Sequence, residues 1–139
     1  MNLETTRSVV IEREMPHPPE KIWRALTQGE LIKEWLMEND FRPAVGHKFN
    51  FQVTPVPNWD GVIDCQVLLV EPNKQLSYTW NALGLKSVVV WTLTPTKTGT
   101  LVRMEHSGFP AGKEAAYKGA NYGWQKFIGH LEQVLARIG

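Results

Sequence analysis

The sequence is poor in cysteine, in clustered charge and in long apolar runs, and each shortage excludes a class of protein. Cys65 is the only cysteine, so an intramolecular disulfide cannot form and the cytoplasm is the expected compartment. The 15 Lys and Arg residues nearly balance the 14 Asp and Glu residues, which leaves no charged field to attract nucleic acid or an anionic membrane. Apolar runs such as VLLV and SVVVW are too short to span a bilayer. The first ten residues, MNLETTRSVV, lack the charged and apolar regions of a signal peptide.

Motifs for metal binding and covalent catalysis are also missing. The four histidines, His17, His47, His106 and His130, are isolated, and no His-x-x-x-His or Cys-x-x-Cys pairing occurs. No Gly-x-Ser-x-Gly motif and no glycine-rich phosphate loop occurs either. Cys65 lies within an alternating apolar stretch, which indicates a buried and unreactive thiol. We therefore predict no metal, no cofactor and no assigned catalytic residue.

The residues that are present predict one globular domain over residues 1–139, since 42% of them are hydrophobic and the length suits one core. RSVVIEREM alternates, with Val9, Ile11, Arg13 and Met15 on one face, and predicts a strand. HPPEKIWRALT begins with prolines that suit a first helical turn, and ELIKEWL follows a breaking glycine. These two stretches predict two short helices after the first strand.

From Gly46 onward the apolar period is two, which predicts an antiparallel meander. The predicted inward residues are Phe49, Phe51, Val53, Ile63, Cys65, Val67, Leu69, Leu76, Tyr78, Trp80, Val89, Trp91, Leu93, Val102, Met104 and His106. Asp60-Gly61 is a hairpin signal, and we expect Trp59 to be exposed in that turn.

Residues 112–138 predict one long amphipathic helix. Its apolar stripe comprises Tyr117, Ala120, Trp124, Phe127, Ile128, Leu131, Leu135 and Ile138, with Asn121 at the edge. Together these elements predict an α+β fold in which a curved antiparallel sheet wraps around the last helix.

The inward set is rich in aromatic rings that carry polar atoms. A dry core is more easily built from Leu, Ile and Val, whereas aromatics with polar handles suit a pocket that grips and orients an apolar ligand. The alternative is that these rings simply form the core. The residue pattern alone leaves both interpretations open.

Four stretches occur in an order that resembles one known family. They are REMPHPPEKIWRALTQGELIKEWL, LLVEPNKQLSYTW, VVVWTLTPTKTGTLVRMEHSGF and YGWQKFIGHLEQVL. The chain resembles the bacterial relatives of the activator of the ninety-kilodalton heat-shock chaperone's ATPase, in the START-like or SRPBCC superfamily. That resemblance implies the helix-grip fold, with a cavity between the curved sheet and the C-terminal helix.

The resemblance leaves three functions open because this fold hosts many. The first is non-enzymatic binding of a small apolar molecule such as a lipid, a polyketide or an aromatic metabolite. The second is an enzyme, a cyclase or hydrolase, that uses His106 as a general acid or base. The third is an interaction module with a chaperone partner. The predicted ligand-binding residues are Trp35, Phe51, Tyr78, Trp80, Trp91, Met104, His106, Tyr117, Asn121 and Trp124.

Individual residues carry further alternatives. His106 is either a catalytic acid or base or a core histidine satisfied by a backbone carbonyl or a phenol. Arg13 pairs either with a carboxylate at the end of the sheet or with an acidic group of the ligand. We expect Trp23 to pack its helix onto the sheet. By analogy with helix-grip proteins, the helix that carries Trp35 is expected near the cavity mouth.

Overall fold

The structure is a computed structural model that describes residues 6–139, so the first five residues of the segment considered for a signal peptide lie outside it. It contains seven strands and three helices in this range. In chain order they are β1 (Thr6–Met15), α1 (Pro19–Thr27), α2 (Gly29–Trp35), β2 (Glu38–Asn39), β3 (Lys48–Gln52), β4 (Val62–Glu71), β5 (Gln75–Ala82), β6 (Leu85–Pro95), β7 (Thr100–Pro110) and α3 (Glu114–Arg137).

The strands form one curved antiparallel sheet in the order β1-β7-β6-β5-β4-β3-β2. Strands β2 to β7 are a meander, and β1 joins the open edge of β7, where Val9 lies opposite His106 and Ile11 opposite Met104. Residues alternate along β6 and β7 between the buried and the less buried face. The period of two seen in the sequence therefore sets one apolar face for the whole sheet.

The two short helices cover one end of that face. Pro19 opens α1, and Gln28 separates α1 from α2 while its N–H bonds to the carbonyl of Arg24. Trp35, at the end of α2, donates its indole N–H to the carbonyl of Ala25 at 2.9 Å. This bond ties α2 to α1, so the two helices pack as a pair.

Helix α3 lies against the apolar face and also packs on α1, α2 and β1. Leu131 and Leu135 are completely buried, and Trp124 and Ile128 are nearly so. The predicted α+β helix-grip architecture, with two short helices after the first strand and a long C-terminal helix, is confirmed. No helix among residues 6–139 has the length and apolar character needed to cross a membrane.

Two inward residues were predicted wrongly. Leu69 was expected to continue the inward set of β4, but a register shift between Val67 and Leu69 inserts an extra residue. After this bulge Val70, rather than Leu69, packs against the core. Val53 is 37% exposed because β3 ends at Gln52, so the alternation has no further strand to act on.

Candidate functional site

A pocket of about 270 Å³ lies between the β5–β6 hairpin, the end of β7 and the first turns of α3. It is partly open to solvent, and most of its surface is apolar. Its lining comprises Trp59, Ile63, Trp80, Ala82, Leu83, Leu85, His106, Phe109, Lys113, Ala116 and Ala120. The alanines of α3 create this space, since small side chains there face large ones on the sheet.

Trp59 contributes to the pocket although it was expected to be exposed. The side chain is half-buried, and its indole N–H donates to the carbonyl of Val62 at 3.1 Å. Val56 and Trp59 form a small antiparallel bridge, so the segment between β3 and β4 turns back towards the sheet. The expectation of an exposed Trp59 was wrong because the turn signal is local while this packing is not.

The tip of the β5–β6 hairpin forms the rim of the pocket. Leu83 and Gly84 both have positive φ, at 52° and 79°, as a tight two-residue hairpin requires. Leu83 is 68% exposed and also lines the pocket. A large apolar side chain is thus held in the left-handed region at the pocket mouth, where glycine or asparagine is more usual.

His106 is the buried polar residue of the pocket wall, and both of its ring nitrogens have partners. Nδ1 accepts the indole N–H of Trp124 at 2.9 Å, and Nε2 lies 2.8 Å from Oγ of Ser87. The Ser87 hydroxyl in turn donates to the carbonyl of Trp80. No buried side-chain nitrogen or oxygen in the described range lacks a partner. The expected alternatives, a backbone carbonyl or a phenol, were wrong as partners of His106.

This arrangement assigns the tautomer of His106. An indole N–H only donates, so Nδ1 must be unprotonated, and Nε2 then carries the proton and donates to Ser87. Burial lowers the pKa of His106 to about 4, so the ring is neutral at pH 7. Ser87 and His106 are close enough for a nucleophile–base pair, but Nε2 already holds a proton and cannot accept another from the serine. The geometry therefore gives His106 no free lone pair for general-base catalysis.

Gly108 allows β7 to lie close to β6 beside this network. Its φ is +108°, and a Cβ atom there would lie 3.0 Å from the carbonyl oxygen of Lys86 and 3.2 Å from Cα of Ser87. A side chain at this position would push apart the strands that hold the Ser87–His106 contact. The glycine is thus part of what places His106 on the pocket wall.

Next to the pocket, four indoles pack in a continuous row that we call the tryptophan row. The ring centroids are 5.2 Å apart for Trp80–Trp124, 5.8 Å for Trp124–Trp91 and 5.6 Å for Trp91–Trp35. These are contact distances for aromatic pairs. The row is filled space, and only its first member, Trp80, also lines the pocket.

Phe51 and Tyr78 extend the same packed region. Phe51 is 5.2 Å from Trp80 and 5.9 Å from Tyr78 between ring centroids. The Tyr78 hydroxyl accepts the indole N–H of Trp91 at 3.0 Å, and burial raises the pKa of that phenol. These polar atoms satisfy each other, so they are not available to orient a ligand.

Two of the ten predicted ligand-binding residues, Trp80 and His106, line the pocket. Six others are buried in the core: Trp35, Phe51, Tyr78, Trp91, Met104 and Trp124. Tyr117 is half-buried beside Phe109, with ring centroids 5.9 Å apart, and lies outside the lining. Asn121 is exposed on α3, also outside the lining. Trp35 thus occupies the far end of the tryptophan row rather than the pocket mouth.

The remaining lining residues were missed because their sequence signals are weak. Leu83 and Leu85 flank a glycine in a turn, and Ala116 and Ala120 differ by four positions on one helix face. Small residues at that spacing beside an aromatic sheet are a usable signal for a gap. Lys113 precedes α3 and carries no pattern of its own.

Two other expectations concern residues away from the pocket. The guanidinium of Arg13 pairs with Glu132 of α3 at 2.7 Å and with the side-chain oxygen of Gln125 at 2.9 Å. Its partner is thus a carboxylate on the helix rather than one at the end of the sheet. Trp23 is half-buried and packs against the hydrophobic core.

Cys65 is 5% exposed, and burial raises the pKa of its thiol. Its predicted burial is confirmed. Residues 6–139 hold no cluster of three or more His, Cys, Asp or Glu side chains arranged for a metal ion.

Comparison with known proteins places this fold in a sequence family. The family model described as Activator of Hsp90 ATPase homolog 1-like protein matches residues 16–136. A Mesorhizobium loti protein of known structure is 57% identical, with a TM-score of 0.90, over 96% of this chain and 99% of that one. A Bacillus halodurans protein is 28% identical, with a TM-score of 0.80, over 95% of this chain and 98% of that one.

A more distant match shares the fold alone. A protein of the dynemicin biosynthetic locus is 23% identical, with a TM-score of 0.79, over 93% of this chain and 47% of that one. A search of curated proteins finds no significant match to this chain.

Proposed function

This chain belongs to the Activator of Hsp90 ATPase homolog 1-like family, and from the pocket it carries we propose that it binds a small, largely apolar molecule without transforming it. The observation that carries the proposal is the gap between the β5–β6 hairpin and α3, which has apolar walls and one buried polar residue. Small-molecule sites are typically concave and apolar, with few polar groups.

The size of the pocket limits the ligand. A volume of about 270 Å³ lies just below the roughly 300–1,000 Å³ that is usual for sites of drug-sized molecules. An aromatic ring system or a short aliphatic chain fits this space, whereas the two acyl chains of a phospholipid do not. Trp80 and Phe109 offer ring faces and edges, so among the lipids, polyketides and aromatic metabolites considered above we favour a small aromatic metabolite.

Binding without catalysis is favoured over an enzyme by the state of His106. Its Nδ1 accepts a hydrogen bond from Trp124, and its Nε2–H donates a hydrogen bond to Ser87. His106 can therefore neither take nor give a proton without breaking one of these buried hydrogen bonds. The other lining residues are mostly apolar. A cyclase or hydrolase would need a proton-transfer group, and the buried part of this wall does not offer one in its resting arrangement.

The test is a titration with N-phenyl-naphthylamine, a neutral probe that brightens in apolar surroundings. Ala116→Phe places a ring in the pocket, and we expect it to weaken probe affinity by about tenfold or more. Ala115→Phe is the matched control, because Ala115 is the neighbouring exposed alanine of α3 and lies outside the lining. Equal affinity of Ala116→Phe and wild type would show that the probe binds elsewhere and would remove the pocket from the proposal.

A second candidate function follows from the family description, which names activation of a chaperone ATPase. The measurement is ATP hydrolysis by a bacterial ninety-kilodalton heat-shock chaperone with and without this protein. Stimulation that persists in Ala116→Phe would favour an interaction module over ligand binding. No stimulation would leave the pocket as the basis of function.

Two organisational features also belong to the proposal. We place the protein in the cytoplasm because its one cysteine is a buried thiol, which suits a reducing compartment. Cell fractionation tests this location. We also treat the chain as one domain, for which a single cooperative unfolding transition is the expected observation.

A further inference from the structure

The charge around the pocket is carried by one side chain. Lys113 is the only lining residue that is charged at pH 7, since the others are apolar or, in the case of His106, neutral through burial. It is exposed at the boundary of α3, on the rim of the pocket. Among residues 6–139 its ammonium group forms no ion pair with a carboxylate.

The acidic residue next to Lys113 in the chain is already paired. Glu114 forms an ion pair with Arg7 of β1, and the Arg7 guanidinium also lies 4.0 Å from the ring centre of Tyr117. Arg7 therefore contacts both Glu114 and Tyr117, and the carboxylate of Glu114 is paired with Arg7 rather than with Lys113. The ammonium of Lys113 is left as an uncompensated positive charge beside an apolar pocket.

We propose, on the basis of the binding function above, that the ligand is a small amphipathic acid whose apolar body fills the pocket and whose anionic group pairs with Lys113. Lys113 is an exposed residue of the lining, so a ligand that fills the pocket can present one end to solvent beside it. A carboxylate, sulfonate or phosphate at that end stays hydrated while it pairs with the lysine. The apolar body of the ligand then contacts the apolar pocket walls, and its charged group contacts Lys113 and water.

The expected strength of this pair is modest because Lys113 is exposed. Exposed ion pairs contribute little, so an anionic ligand should lose about two- to fivefold in affinity when the charge is removed. The contribution is also screened by salt. Affinity for a neutral ligand of the same shape should not depend on Lys113 or on ionic strength.

Two fluorescent probes separate these effects. Anilinonaphthalene sulfonate and N-phenyl-naphthylamine share one ring system and differ by the sulfonate group. The variants are Lys113→Met, which keeps most of the side-chain length without the charge, and Lys118→Met, an exposed lysine of α3 outside the lining. Both probes are titrated against wild type and the two variants at low and at high salt.

We expect Lys113→Met to weaken the sulfonate probe by about two- to fivefold at low salt, with little change for the neutral probe. Lys118→Met should bind both probes as wild type does. If the neutral probe binds in the pocket but Lys113→Met leaves the affinity for the sulfonate probe unchanged, the proposal of an acidic ligand is refuted while the binding function stands. If both probes bind Ala116→Phe as they bind wild type, they do not bind in the pocket. That result refutes the proposed binding function and, with it, the proposal of an acidic ligand. An equal loss in Lys118→Met would mean that general surface charge attracts the sulfonate, which also overturns the proposal.

Discussion

Acidification is expected to destabilise the folded protein through His106. Burial lowers the pKa of His106 to about 4, against 6.5 for an ordinary histidine, and no carboxylate is among its hydrogen-bond partners. Between pH 6.5 and about pH 4 this histidine binds a proton in the unfolded chain but remains neutral in the folded protein. The free energy of unfolding therefore falls between pH 6.5 and about pH 4, and above pH 6.5 this histidine adds no pH dependence.

The size of the effect follows from the difference between the two pKa values. Each pKa unit corresponds to about 1.4 kcal/mol, so the full loss is about 3 kcal/mol once the pH is below 4. At pH 5 the loss is already about 2 kcal/mol, because the unfolded histidine is almost fully protonated there and the folded one is not. A loss of this size is a large part of the stability of a small domain.

The assay is urea unfolding followed by circular dichroism at about pH 7.5, 5 and 4. His106→Gln is compared with wild type, and His130→Gln, a half-buried histidine of α3, serves as the control. Burial and the nearby Lys21 lower the pKa of His17, but His17 is present in all three proteins, so its contribution cancels in the differences. At pH 7.5 His106→Gln should be the least stable, because its hydrogen bonds with Trp124 and Ser87 are disturbed.

As the pH falls to 4, the stability gap between wild type and His106→Gln should close by about 3 kcal/mol, because the glutamine cannot be protonated. The gap between wild type and His130→Gln should not follow that course. A gap for His106→Gln that is the same at pH 7.5 and pH 4 would refute the assignment of a neutral, buried imidazole.

Three further outcomes are expected. A thiol reagent should label Cys65 slowly in the native protein and rapidly in urea, because the side chain is 5% exposed; fast native labelling would place it on the open face. Leu131→Ala should cost about 2–5 kcal/mol in urea unfolding because the side chain is fully buried, while Tyr122→Ala, 74% exposed, should change stability by less than about 0.5 kcal/mol. Trp124→Phe should cost about 1–3 kcal/mol, since Nδ1 of His106 loses its donor. The same substitution should make the imidazole of His106 easier to protonate. An NMR titration of that ring should then show its protonation at a higher pH than in wild type.

The inward face of most strands could be predicted because α3 covers one side of the sheet and solvent meets the other. Under that condition a period of two identifies the buried residues, as it did for Val89, Trp91 and Leu93 in β6. The same rule failed at Leu69, where the bulge adds a residue that periodicity cannot detect. The family motifs supplied the overall architecture, since they occur in the same order as in relatives of known fold.

The pocket was harder to predict because it depends on distances between distant parts of the chain. Alternation along β6 places Trp91 on the inward face, and the apolar stripe of α3 includes Trp124, but only their 5.8 Å separation shows that the two rings fill the interior. Trp59 was placed in solvent because its turn signal says nothing of where the turn folds back. Lys113 was not predicted as a site residue, because only the structure shows that it lies beside the pocket.

The tryptophan row has an optical consequence. Indoles in contact share excitation energy, and their transitions couple when the rings are held at fixed angles, so the row should give a strong near-ultraviolet circular dichroism signal. Loss of fixed side-chain packing, as in an expanded acid state, removes that signal while the helices and strands still absorb normally. Because Trp80 belongs both to the row and to the pocket wall, a molecule entering the pocket would perturb the coupled spectrum of all four rings. The protein thus carries its own spectroscopic reporter for core packing and pocket occupancy, without an added label.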